Sequence, residues 1–166
     1  MALDAEIGSA TANSYVTTEE ADAYFTDRMH SSSWDSVSDQ DPFLISASQM
    51  LDWYTTWKGY KYTSEQSMQW PRAEAIRPDG RTIENNVIPP EVKTAVFELA
   101  FSSIESDRTT DDPLAGIGQL KAGSLMIKAG AEKPNQTNAK VIPSHVSNII
   151  SDLTLNNGGV VRLLRA

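Results

Sequence analysis

Apolar residues recur at helical spacing in four stretches of the chain and lose all period between them. The clearest stretch runs from Phe43 through Leu44, Ala47, Met50, Leu51 and Tyr54 to Trp57, on one stripe opposite Ser46, Gln49, Asp52 and Thr56. Ser38-Asp39-Gln40-Asp41-Pro42 supplies its start signal, because proline is tolerated in a first helical turn, and Lys58-Gly59 reads as its stop. Upstream, Thr17-Thr18-Glu19-Glu20 has the form of a capping box, followed by Ala21, Tyr24, Phe25 and Met29 at helical offsets. The spacing predicts a helix over about 18–30, ended by Ser31-Ser32-Ser33.

Pro89-Pro90 opens a third helix, over about 90–106. Val92, Ala95, Val96 and Leu99 form one stripe on it, and Phe97, Phe101 and Ile104 a second. A helix apolar around so much of its circumference belongs at the centre of the core. The second and third helices are therefore expected to pair, with Leu51, Tyr54, Trp57, Val96, Leu99 and Phe101 buried. A short last helix is predicted from Pro143 or Ser144, with Val146, Ile149, Ile150 and Leu153 on one face.

Between these helices the pattern is irregular. Residues 59–87 have no sustained period; Trp70-Pro71 favours extended backbone, and Pro78-Asp79-Gly80 between Ile76 and Ile83 suggests a short hairpin. Residues 106–113 form a polar loop, Gly118 to Ile127 reads as a strand pair turning near Gly123, and residues 129–140 are polar and expected to be mobile. The fold class is α+β, mainly α: a helical core of about four helices, a small β-hairpin region and an extended C-terminal tail. Residues 1–156 are read as one helical domain and 157–166 as an extended arm.

Composition narrows the chemistry. At 166 residues, 40% of them hydrophobic and 22% charged, the chain is globular and of one-domain size. No apolar run reaches the roughly 18 residues of a membrane span, and the acidic start Met1-Ala2-Leu3-Asp4-Ala5-Glu6 is unlike a signal peptide. Cysteine is absent, and His30 and His145 are the two histidines, which disfavours disulfide, thiolate-metal and multi-histidine sites. No nucleophile elbow, phosphate loop, zinc-protease motif or dinucleotide fingerprint is found, so a non-enzyme without catalytic, cofactor or metal residues is expected.

The net charge of −8 is concentrated: residues 1–42 hold nine acids against Arg28, and the rest is balanced. Such a chain, with no basic stripe, is a poor match for phosphate backbones, whose affinity comes mainly from Lys and Arg. The four tryptophans are read chiefly as core. Tyr60, Lys61, Tyr62, Trp70 and Arg72 form the one local aromatic and basic cluster that suggests base stacking, or else a structured loop packed on the core.

The end is unusual. After Asn156-Asn157-Gly158-Gly159 comes the apolar, β-prone segment Val160-Val161-Arg162-Leu163-Leu164-Arg165-Ala166. One reading is a last strand packed on the chain's own hairpin; the other is a strand donated to a partner through Val160, Val161, Arg162, Leu163, Leu164 and Arg165.

Three segments in order carry a resemblance: Ala12-Asn13-Ser14-Tyr15-Val16 leading into the Thr-Thr-Glu-Glu helix start, Trp70-Pro71-Arg72, and Ile88-Pro89-Pro90-Glu91-Val92-Lys93. With weaker agreement through Lys121-Ala122-Gly123-Ser124-Leu125, Ile142-Pro143 and the Val-Arg end, the chain resembles the head–tail connector (adaptor) proteins of long-tailed bacteriophages. Related sequences often carry a DnaT-like single-stranded-DNA-binding label. The resemblance implies a virion protein, made in the host cytoplasm, that forms a ring at the head–tail interface. Rings of this kind are commonly dodecameric. Implied partners are the portal protein, neighbouring adaptor subunits and a stopper or tail-completion protein, with genome DNA passing through without specific binding and no membrane involved. The alternative is a single-stranded-DNA-binding, DnaT-like replication accessory.

Overall fold

The computed structural model describes residues 2–108, 120–122, 125–127 and 141–155. The capping box forms: Glu20 N–H donates to the Thr17 hydroxyl and Thr17 N–H to the Glu20 carboxylate, both at 3.3 Å. It opens α1 (Thr18–Thr26), which buries Ala21 and Phe25. The helix stops short of the expected residue 30. His30 is left-handed (φ 61°), and Met29, expected on the apolar face, is 80% exposed. The cause lies in its neighbours, since Arg28 turns back to Glu98 and Trp34 packs on Phe25. Far from ending a helix, Ser31 precedes one, α2 (Ser32–Asp35), whose Trp34 stacks on Phe25 at 4.5 Å and donates its indole N–H to Asp22.

α3 (Asp41–Tyr54) buries Leu44, Ala47, Ser48, Met50 and Leu51. It ends three residues before Trp57, because Thr55 is extended. Two expectations change with it. Tyr54 is 39% exposed, and Trp57 is buried through an extended segment paired with Thr154 rather than through the helical stripe. Gly59 is accordingly no helix stop. Its positive φ of 71° brings it against the backbone of residues 73–75.

α4 (Pro90–Glu105) is the central helix, packed by α3, α2 and α5 (Ser144–Ile149). Val92, Ala95, Val96, Leu99 and Ala100 are fully buried, whereas Phe101 is half-buried beneath the Arg28 guanidinium, 4.2 Å from its ring centroid. After α5 a 3-10 turn (Ser151–Leu153) buries Leu153, and Val146 and Ile150 are buried alongside.

Five α-helices are thus present among the described residues, with little strand. β1 (Tyr60–Lys61) pairs antiparallel with β2 (Arg72–Ala73), and Ile76 bridges Thr82 around Gly80 as the turn signal predicts. The Trp70–Pro71 bond is cis. β3 (Leu120–Ala122) and β4 (Leu125–Ile127) form the expected antiparallel pair, with Leu120 opposite Ile127. The fold is mainly-α α+β. Residues 109–119, 128–140 and 156–166, which include most of the polar segments and the whole of the arm from Val160 to Arg165, lie outside the described residues.

Candidate interaction surfaces

Residues 12–16, all buried, are the first part of the molecule to test for function. Asn13 closes the N-terminal loop, accepting from Asp4 N–H (2.8 Å) and donating to Ala2 C=O (2.9 Å). Tyr15 N–H donates to Ser48 Oγ (3.1 Å) on α3. The Tyr15 hydroxyl donates to the Asp52 carboxylate and accepts from the N–H groups of Gln69 (3.1 Å) and Trp70 (3.2 Å). The other Asp52 oxygen accepts from Gln69 N–H at 3.0 Å. One phenol therefore clamps the N-terminal strap, α3 and the Trp-Pro-Arg loop together. It is a structural joint.

Burial pushes the Asp52 carboxyl up to about 6, outweighing its hydrogen bonds to Tyr15 and Gln69 and the fields of Lys61 and Arg72. Burial, and then the Asp52 charge, push the Tyr15 phenol well above its ordinary value, so it stays a donor. The sign of the linkage follows. The folded state holds the Asp52 proton more tightly than the unfolded chain, so this carboxyl's contribution is fully present below pH 3.8 and is lost as pH rises through about 6. Urea midpoints at several pH values should show the parent losing on the order of 2 kcal/mol over that window relative to Asp52→Asn. Parallel pH profiles for the two proteins would reject the assignment.

The structure brings Tyr60, Lys61, Tyr62, Trp70 and Arg72 together around β1 and β2, but Trp70 and Arg72 face inward and Lys61 is half-buried. Trp70 is 1% exposed and packs edge-on against Trp57 at 5.7 Å. Arg72 is buried, donating to the carbonyls of Lys58 (2.7 Å), Gly59 (2.6 Å) and Gln69 (3.2 Å). Lys61 Nζ donates to the carbonyls of Gln66 and Ser67. Tyr60 and Tyr62 alone of the five are large exposed side chains.

The other described basic side chains are also engaged with protein. Arg28 grips Glu98 with two bonds (2.7 and 2.9 Å), and Glu98 also accepts from Tyr24 and lies 3.8 Å from His145. Burial pushes the Glu98 carboxyl up, but the Arg28 and Tyr24 bonds outweigh it and hold it below its ordinary value. Arg77 pairs with Glu91, Arg81 with Asp79 and Lys93 with Glu20. Lys58 donates to Asp152 C=O and Arg108 to Ser102 C=O. Meanwhile Glu19, Asp27, Asp35 and Asp39 are exposed.

The exposed apolar surface lies elsewhere. Trp53, expected in or beside the core, is 69% exposed, because it sits about 200° round the helix from Leu51. Next to it in sequence, Tyr54 borders a cleft of about 190 Å³ shared with Ile142, Ile150, Thr154 and Leu155. A second cleft, about 490 Å³, lies between Phe43 and Met50 of α3 and Ile104 near the end of α4. Among the described residues no group of three His, Asp or Glu is placed to hold a metal ion, and no helix is long and apolar enough to cross a membrane. Trp34, read with the other tryptophans as core, is buried as expected, whereas pattern reading missed Glu98, for which an acid inside an apolar helix was the available signal.

Among curated proteins and among solved structures, nothing matches the chain. One family model, described as "Putative DnaT-like ssDNA binding protein", matches residues 1–166, and the chain belongs to that family.

Proposed function

We propose that the protein is a structural subunit of a bacteriophage head–tail connector. In this reading residues 1–156 form the adaptor domain between portal and tail components, and residues 157–166 form an arm that docks on the portal or on a neighbouring subunit. The observation that carries the reading is the disposition of charge. The cations of residues 2–108 are each paired with a protein group, Arg72 within the fold and the others at its surface, while acids face solvent, which suits a ring that lets DNA slide past better than a groove that grips it. Exposed Trp53, Tyr54 and Leu155 add apolar anchors of the kind protein interfaces use.

A second reading, single-stranded-DNA binding, is supported by the family's description and by one local feature. Tyr60, in β1, and Tyr62, just past its end, are both exposed and two positions apart, roughly 6.6 Å along extended backbone, which offers a platform for bases. Two measurements decide between the readings. With a labelled oligonucleotide at physiological salt, the connector reading expects no submicromolar binding. Tight binding that weakens steeply with salt and disappears in a Tyr60→Ala/Tyr62→Ala double variant would establish the DNA reading instead. By native mass spectrometry with a portal protein, the full chain should attach, and a chain lacking residues 158–166 should keep its helical signal but lose stable attachment. Unchanged attachment of the truncated chain would exclude the arm.

A further inference from the structure

α3 presents a solvent face without charge. Pro42, Ser46, Gln49 and Trp53 run along it, and the helix's two acids are turned elsewhere, Asp41 accepting from the Thr18 hydroxyl and Asp52 from Tyr15. α1, by contrast, exposes Glu19, Glu20 and Asp22. In a chain of net charge −8, a neutral helix face is where two copies meet with least repulsion. Depletion of charge around an exposed aromatic also marks the centre of a protein interface.

This face carries both a projection and a recess. Trp53 is 69% exposed, whereas Trp34, Trp57 and Trp70 are buried. Seven residues before Trp53, Ser46 lines the 490 Å³ cleft, with Phe43 and Met50 on the same helix and Ile104 across from them. Seven residues are almost two turns, so Trp53 lies about 20° round the helix from Ser46 and about 10 Å along it. The Ser46 hydroxyl turns to the Met50 sulfur at 3.7 Å, and Asp107 and Arg108 at the rim are of opposite sign. An apolar recess with a balanced rim suits an indole better than an ion.

A projection and a matching recess on one face are self-complementary under a two-fold axis. Two α3 helices laid antiparallel, with the axis near Gln49, set each Trp53 over the Ser46 of the other, so both insertions occur together. We propose that this face of α3 joins two copies of the chain, Trp53 of each filling the cleft between Phe43, Met50 and Ile104 of the other. A buried tryptophan is the commonest kind of interface anchor, and the Met50 sulfur is a favourable neighbour for its ring.

This inference goes beyond the connector reading and does not rest on it, because the protein is measured alone. Sedimentation of the full chain from about 1 to about 200 μM should show the mass rising from one subunit toward two. Tryptophan emission should shift to the blue over the same range, as the exposed indole of Trp53 is covered. Since the copies carry like charge, added salt should tighten the association. Trp53→Ala and Ser46→Glu, both at exposed positions, should keep the helical signal and weaken association about tenfold or more. Met29→Ala, at an apolar site 80% exposed beyond α1, should leave it unchanged. A single-subunit mass at every concentration overturns the proposal, whether Trp53 emits as an open side chain or as one already covered within its own chain. Association that survives Trp53→Ala, or that salt weakens, overturns it as well.

Discussion

Replacing Leu99 with alanine is expected to lower the unfolding free energy by about 2–5 kcal/mol, the range for emptying a well-packed leucine site. Leu99 is 0% exposed on the helix that the rest of the core surrounds. Helix propensity cannot supply the loss, since alanine is the better helix former. The void would also be slow to collapse. The next residue, Glu98, is held by Arg28 and Tyr24, and α3 on the other side is tied to the N-terminal strap through Ser48 and Asp52. Urea titration should show a lower midpoint at unchanged slope. A loss well below about 1 kcal/mol would mean that α4 is not the centre of the core.

Gly59→Ala is expected to be of similar severity for a different reason. At φ 71° any side chain is strained, and a Cβ there would lie 2.2 Å from Ala73 O and 2.9 Å from Ala75 N. Both are backbone atoms, so β1 and β2 must separate to make room. The Gly59 carbonyl would then leave the Arg72 guanidinium, which is buried and depends on it. A cost of about 2–4 kcal/mol follows from left-handed strain combined with a disrupted buried cation. Gly80→Ala is the control, with the same backbone sign (φ 84°) but open space around it, and should cost about 1–2 kcal/mol. Equal losses in the two variants would show that conformation alone, rather than the close approach at residue 59, sets the effect.

The sequence was most legible where one physical rule acted alone. The capping box set the start of α1, the Pro-Pro step set the start of α4, and the turn at Gly80 and the β3–β4 pair followed local chemistry. Legibility failed where tertiary contacts cut a periodic pattern short. Helical spacing carries through Met29 and Trp57, yet Arg28 is drawn to Glu98 and Trp57 to the Thr154 edge, and both helices end early. Periodicity also cannot tell a stripe's core-facing end from its solvent-facing end, which is why Tyr54 lies exposed beside its buried neighbours. At the surface, the aromatic and basic cluster was located from sequence, but the turning of Lys61 and Arg72 onto the chain depends on carbonyls that no sequence pattern reveals. The Asn-Ser-Tyr-Val and Trp-Pro-Arg segments, legible only as a family signature, turn out to be two sides of one joint at the Tyr15 hydroxyl.

The contacts that close α1 onto α4 bear on how the chain acquires its shape. Arg28 and Tyr24 reach Glu98 across 70 and 74 positions, and Lys93 reaches Glu20 across 73. During synthesis, α1, α2 and α3 emerge before any of their partners on α4 exist, so Phe25, Trp34 and Leu51 must wait uncovered. Closing loops of that length is paid for before the contacts repay it, so the rate of folding is set by topology rather than by the ease of forming each helix. The nascent N-terminal half is therefore the stage most exposed to aggregation, and its excess of acids would keep those unfinished chains apart.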